Sequence, residues 1–132
     1  MTLLLLDTTF LIDAERSDAQ LDQAIDDADG VAIAAITVAE LQVGVRLATG
    51  RRRQQRQRFV DDVCEVIPIL SYDRSVAAEH ADLLVAVRQA GRPRGAHDLI
   101  IAATARASKR TVVTSDLTAF TDLPGVTVLD HR

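Results

Sequence analysis

Short apolar runs alternate along the chain with segments of helical periodicity. Leucines fill positions 3 to 6, and Thr2–Leu6 predicts a buried strand. Ser17-Asp18-Ala19-Gln20 has the form of a capping box, in which two side chains satisfy the free N–H groups of a helix start. An amphipathic helix follows through Leu21, Ile25 and Ala28, with Gly30 as its stop. Val31–Ala35 predicts a second short strand. Thr37–Ala48 carries Val38, Leu41, Val45 and Ala48 at helical spacing and ends near Gly50. Arg51–Cys64 is rich in helix formers and has a sparse apolar side of Phe59, Val60 and Val63, which predicts a solvated helix. Val66–Leu70 predicts a third strand that tolerates Pro68 only near an edge or end. Ser75–Ala90 is helical and closed by Gly91, and Gly91–Gly95 (GRPRG) has loop composition. Asp98–Ala107 is apolar nearly all round, as a central buried helix is. Thr111–Thr114 and Val126–Leu129 complete the strands, with Pro124-Gly125 turning between them.

Strands separated by helices make βαβ units with right-handed crossovers. The expected fold is therefore α/β, a three-layer α/β/α arrangement around a mostly parallel sheet of roughly five strands. The pattern shows no internal repeat, low-complexity tract or linker, so residues 1–132 read as one domain.

Composition narrows the function classes. Apolar residues make up 48% and charged residues 26%, which fits a globular chain and excludes wholesale disorder. The aromatics are Phe10, Phe59, Tyr72 and Phe120, too few for a base-stacking platform, so the core must be aliphatic. Cys64 is the only cysteine, which rules out an internal disulfide or a Cys-based zinc cluster and fits a reducing cytosol. No Lys or Arg precedes the leucine run, Asp7 ends it early, and no apolar stretch reaches the ~20 residues that span a bilayer. A soluble cytoplasmic protein with no membrane contact is expected. The net charge of −4 opposes a nucleic-acid partner, but its distribution does not. Arg51, Arg52, Arg53, Arg56 and Arg58 fall in one segment, and Arg88, Arg92 and Arg94 in another.

Candidate chemistry lies with the acids. Function in open α/β sheets gathers at the carboxyl ends of the strands. Asp7 follows the first strand and Asp116 the fourth, Glu40 lies in the first turn of the helix after the second, and Asp98 starts the buried helix. Each has a bland explanation. Thr37-Val38-Ala39-Glu40 reads as a capping box, Asp98 as an N-cap or dipole-favoured acid, and Asp7 and Asp116 as caps of short turns. Capping does not explain four acids arriving at one rim, where they would repel one another and raise each other's pKa. A bound cation removes that conflict, and clustered oxygen donors favour Mg²⁺ or Mn²⁺ over zinc.

The strings LLLLDTTFLID (3–13), ITVAELQVGV (36–45), AHDLIIAATA (96–105) and TVVTSDLTAF (111–120), in this order and spacing, carry a family resemblance. The chain resembles a PIN-domain ribonuclease of the VapC type, the toxin of a toxin–antitoxin pair, over nearly its whole length. The resemblance implies a metal-dependent endoribonuclease that hydrolyses RNA phosphodiester bonds with an activated water and no side-chain nucleophile. It places Asp7, Glu40, Asp98 and Asp116 in the catalytic and metal-binding quartet, with Mg²⁺ as cofactor and Mn²⁺ as substitute, as one ion or two. Glu40 is either a ligand or the group that orients the attacking water. Thr9 matches a supporting Ser or Thr, and Ser115 a small polar residue before the last acid. Thr118 and Ala119 stand where some members carry a further acid. The resemblance also implies an RNA substrate, a homodimer, and a VapB-type antitoxin whose C-terminal segment lies in the acidic groove.

Arg92 and Arg94, in the loop leading to Asp98, are the expected substrate contacts. The Arg51–Arg58 segment fits RNA, an antitoxin, a second protomer or a plain solvated face equally. His97 beside Asp98 invites a general-acid role that metal chemistry does not need. Two alternatives remain from other classes: a haloacid-dehalogenase-like phosphatase, for which Thr9 stands where a second acid is needed, and a catalytically inactive PIN-like binding scaffold.

Overall fold

The leucine run forms strand β1 (Leu3–Leu6), and Asp7 ends it by capping helix α1 (Thr8–Arg16). In this computed structural model, which describes residues 2–27 and 29–130, there follow α2 (Asp18–Asp27), β2 (Gly30–Ala34), α3 (Ala35–Leu47), α4 (Gly50–Val66), β3 (Ile69–Leu70), α5 (Arg74–Ala90), α6 (Ala96–Ser108), β4 (Thr111–Thr114) and β5 (Val128–Asp130). The proposed capping box at 17–20, through the side chain of Gln20, and the helix position of Ala28 lie outside the described residues.

All strand pairs are parallel, in the order β3-β2-β1-β4-β5. The chain winds from β1 to one side through β2 and β3, then returns to add β4 and β5 on the other. The winding reverses between β1 and β4, so a crevice opens at their carboxyl ends. Because successive strand residues face opposite ways, the leucines divide between two cores. Leu4 and Leu6 pack with Phe10, Leu11, Ile33, Leu41, Val60 and Val63 under α1, α3 and α4. Leu5 packs with Leu83, Leu99, Ile101, Val112 and Phe120 under α5 and α6. Helices cover both faces, as expected for three layers.

Several boundaries differ from the expectation, and three of the differences bear on an acid. The nine-residue α1 is longer than any short turn after Asp7, because Phe10, Leu11 and Ala14 bury one face of it. Helix α3 starts two residues early, with Ala34 at its N-cap and no side-chain cap bond. The Thr37–Glu40 capping box therefore does not form, and Glu40 sits in the second turn. Helix α6 likewise starts at Ala96 behind Gly95, so Asp98 is a first-turn residue and not the N-cap. Gly30 lies in β2 and does not end α2. Gly50, at φ 59°, opens α4. Val66 ends that helix, and the third strand shrinks to two residues after Pro68. The last strand is shifted to Val128–Asp130.

Candidate active site

Asp7 is 2% exposed, and hydroxyls surround its carboxylate. Oδ1 accepts the Phe10 N–H at 2.8 Å, the cap bond of α1. Oδ2 accepts the Thr114 hydroxyl at 2.5 Å, and the Thr9 hydroxyl reaches both oxygens at 2.9 and 3.0 Å. Capping accounts for the first bond only. The β1–β4 register, with Leu6 opposite Val113, brings Thr114 beside Asp7 from 107 residues away. Burial pushes the Asp7 carboxyl above its ordinary value, and the charge of Asp116 adds to the rise, against the lowering by Thr114, Phe10 and Thr9.

The other three acids come from separate elements. Asp116 is exposed just past β4; its N–H donates to the Thr114 hydroxyl at 2.9 Å, and its carboxylate accepts from Thr118 at 2.7 Å. Glu40 accepts the Thr8 hydroxyl at 2.7 Å, and that hydroxyl stands 3.3 Å from the hydroxyl of the buried Thr37. The second Glu40 oxygen lies 3.4 Å from His97 Nδ1, an ion pair when the ring is protonated. Asp98 turns its carboxylate back over its own helix start, where a Cβ on residue 95 would come within 2.9 Å of Oδ2. Gly95 leaves that space open.

Asp98 registers the convergence of the four. Its carboxyl is held above the ordinary value first by burial, then by the charges of Glu40, Asp7 and Asp116, with His97 opposing. The helix N-terminus beneath it favours the anion, yet burial and three like charges outweigh that. Among the described residues, no three His, Cys, Asp or Glu side chains stand close enough to hold one ion as they are placed. A divalent cation held by three of these acids would require their side chains to move toward it. The donors on offer are all carboxylate and hydroxyl oxygens, which fit a hard cation such as Mg²⁺ or Mn²⁺.

Residues 4–125 match the model of the PIN domain. The chain belongs to the PIN-domain family. Its relatives include the ribonuclease VapC5 of Mycobacterium tuberculosis, 38% identical over 112 residues, which cover 84% of this chain and 81% of that protein. The toxin FitB of Neisseria gonorrhoeae is 34% identical over 110 residues, covering 80% and 78%. Among solved structures, VapBC-5 of M. tuberculosis superposes with a TM-score of 0.81 at 29% identity, over 99% of this chain and all of that one. VapBC2 of Rickettsia felis, bound to a promoter DNA fragment, reaches 0.88 at 23% identity over 99% and 100%, a likeness of fold. The phosphatase alternative is thereby set aside: the fold family is PIN, and Thr9 bonds to Asp7 where that chemistry needs a second acid.

The charges of Glu40, Asp7 and Asp116 all reach Asp98, and the Thr9 hydroxyl joins Asp7 to the backbone of Ser115. It accepts the Ser115 N–H at 3.2 Å, and so serves to hold Asp7 and the chain after β4. Arg92 and Arg94, the expected substrate contacts, each have partners within the protein. Arg94 donates to the Thr121 carbonyl at 2.7 Å and to the Arg92 carbonyl at 3.1 Å, and exposed Arg92 pairs with Asp122 at 3.2 Å. Both arginines tie the Gly91–Gly95 loop to the segment before β5.

Sequence reasoning missed Thr114 and Thr8. Thr114 is fully buried and links the Asp7 carboxylate to the Asp116 backbone. Its one sequence signal is a hydroxyl residue ending an apolar strand. Thr114→Val keeps the shape but strips a hydrogen bond from a buried anion. It should cost about 1.5–3 kcal/mol in urea unfolding. An unchanged midpoint would show that Thr114 does not support Asp7.

Proposed function

We propose that this PIN domain is an endoribonuclease toxin of the VapC type, acting on RNA with a divalent cation and restrained by a VapB-type antitoxin. The observation that supports the chemistry most is the Asp98 carboxyl, whose ionisation is opposed first by burial and then by the charges of Glu40, Asp7 and Asp116 together. Four acids delivered by four elements to one crevice form an oxygen-donor set, and a dication is what would relieve their repulsion. The relatives named for ribonuclease activity and the VapBC complexes support the biological reading.

Asp7, Asp98 and Asp116 are the proposed ligands, direct or through water. When bound, Mg²⁺ or Mn²⁺ would acidify a water for attack at neutral pH and withdraw charge from the phosphoryl oxygens. Thr114 and Thr9 hold the Asp7 carboxylate in place, so that it need not reorganise when substrate arrives. Thr8 fixes one oxygen of Glu40 and leaves the other, 29% exposed in its side chain, to orient the attacking water and accept its proton. Ser115 shapes the turn that brings Asp116 to the rim. Exposed Arg92 can release Asp122 for a substrate phosphate. Arg94 acts by keeping the loop before Asp98 in place. A homodimer in the cytoplasm is the proposed working form. Among the described residues, no helix is long and apolar enough to cross a membrane.

Purified protein incubated with total cellular RNA should cleave it when Mg²⁺ or Mn²⁺ is present, leaving 5′-phosphate and 3′-hydroxyl ends. Cleavage that persists in EDTA, or 2′,3′-cyclic phosphate ends, would mean attack by the ribose hydroxyl and refute the mechanism. Intact RNA under every divalent condition would favour the inactive-scaffold alternative.

A further inference from the structure

An RNA strand brings phosphates on both sides of the one being cut, and a rim of four carboxylates repels them. On the loop side, Arg94 is tied to the Thr121 carbonyl, and Arg92 must give up Asp122 to take a phosphate. On the Glu40 side the arrangement differs. Glu40 lines a hollow of about 90 Å³ among α1, α3 and α4, together with Glu15, Arg56 and Phe59. Those same three residues line a larger hollow of about 420 Å³, where Arg16, Arg52 and Arg58 join them. Three shared side chains place the two hollows side by side, in a groove that runs from Glu40 out along α4.

Charge along this groove reverses. The outer hollow presents Arg16, Arg52, Arg56 and Arg58 against the carboxylates of Glu15 and Asp62. Arg56 donates to the Gly44 carbonyl at 3.1 Å, which stations its guanidinium one turn of α3 beyond Glu40, a rise of ~6 Å. Among the described residues, the ion pairs leave out Arg16, Arg52 and Arg58, so their charge stays available. Arg52 and Arg56 are four apart on α4 and face the same way. The guanidinium fork suits phosphate oxygens, and a series of them suits a polyanion.

We propose that this groove is the track for the RNA segment flanking the scissile phosphate, with Arg52, Arg56 and Arg58 of α4 and Arg16 of α1 as its phosphate contacts. The track depends on the ribonuclease reading for its substrate, but it can be tested without cleavage. It gives the Arg51–Arg58 segment one role where the sequence fitted three partners and a plain solvated face equally. The acidic rim does the chemistry, and the adjoining basic groove supplies the grip that the rim lacks.

Binding of a 5′-fluorescein-labelled, 12-nucleotide single-stranded RNA, followed by anisotropy in EDTA, provides the test. Arg52→Gln/Arg58→Gln changes two exposed residues, and Arg74→Gln/Arg88→Gln on α5 is the control. The first pair should weaken binding about tenfold at low salt and lessen the slope of log K against log salt by about 1.4, two single-strand contacts' worth. The control should match wild type. With Mg²⁺ or Mn²⁺ present, the first pair should raise KM for the same RNA far more than it changes kcat, since neither arginine lines the hollow that holds Glu40. Unaltered affinity and slope in the first pair would overturn the proposal. So would intact RNA binding accompanied by lost affinity for a poly-glutamate peptide, which would make the groove a protein-docking face. If wild type binds RNA through these arginines yet cleaves none with either cation, the track stands and the ribonuclease reading fails.

Discussion

Asp7→Asn should abolish RNA cleavage and, in EDTA, raise the melting temperature. The two effects have one source. The Asp7 carboxylate is 2% exposed and held above its ordinary pKa chiefly by burial, so the folded protein bears its charge at a cost. Asparagine keeps the shape and an oxygen for the Phe10 N–H, and the Thr9 and Thr114 hydroxyls can turn to suit it. It removes the anionic ligand, however, and with it several kcal/mol of charge stabilisation in the transition state, a fall of about a hundredfold to a thousandfold or more in rate. Each kcal/mol of relieved desolvation is worth roughly 4 °C in a domain of this length. An active variant would show that Asp7 serves only the cap of α1, and one that melts several degrees lower would show that the fold does not bear its charge at a cost.

The divalent-free protein should lose stability as pH rises through the range of its raised carboxyls, and Mg²⁺ or Mn²⁺ should reverse that loss. Asp7 and Asp98 both have folded pKa values above the ordinary 3.8. The folded state therefore binds their protons more tightly than the unfolded chain does. Their contribution is complete below 3.8 and disappears as pH climbs through the raised values. Beyond that point both are ionised beside Glu40 and Asp116, and repulsion persists. A cation at a hundred times its Kd adds about 2.7 kcal/mol, on the order of 10 °C here. Its benefit should grow with pH, since only ionised carboxylates bind it. Melting curves from about pH 4 to pH 8, with Mn²⁺ or EDTA, should show this trend in wild type and lose most of it in Asp7→Asn/Asp98→Asn. Equal pH profiles for the two proteins would contradict it.

The four acids could be read from the sequence because strand ends and helix starts are local features. The leucine run had to be a strand, so Asp7 had to sit at its end, and the same reasoning placed Asp116 after Thr111–Thr114. What supports those acids could not be read, because it depends on register. Thr114 meets Asp7 only when β4 pairs with β1 so that Val113 lies opposite Leu6, across 107 residues of chain. Thr8 meets Glu40 only because α1 begins directly after Asp7, a helix whose start the two threonines concealed. Capping signals misled where a backbone cap sufficed: α3 and α6 open on Ala34 and Gly95, neither with a side-chain cap bond, which frees Glu40 and leaves Asp98 to the crevice. The Arg92 and Arg94 side chains were legible as cations, but their partners, Asp122 and the Thr121 carbonyl, come from a distant turn.

Anomalous diffraction at the manganese edge, from crystals grown with Mn²⁺, puts the convergence of the acids to its most direct test. A peak in the crevice between β1 and β4, bonded to carboxylate oxygens of Asp7 and Asp116 with Asp98 bound directly or through water, is the expected result. Manganese absent from that crevice at saturating concentration, or bound elsewhere while these side chains point apart, would contradict a shared divalent site.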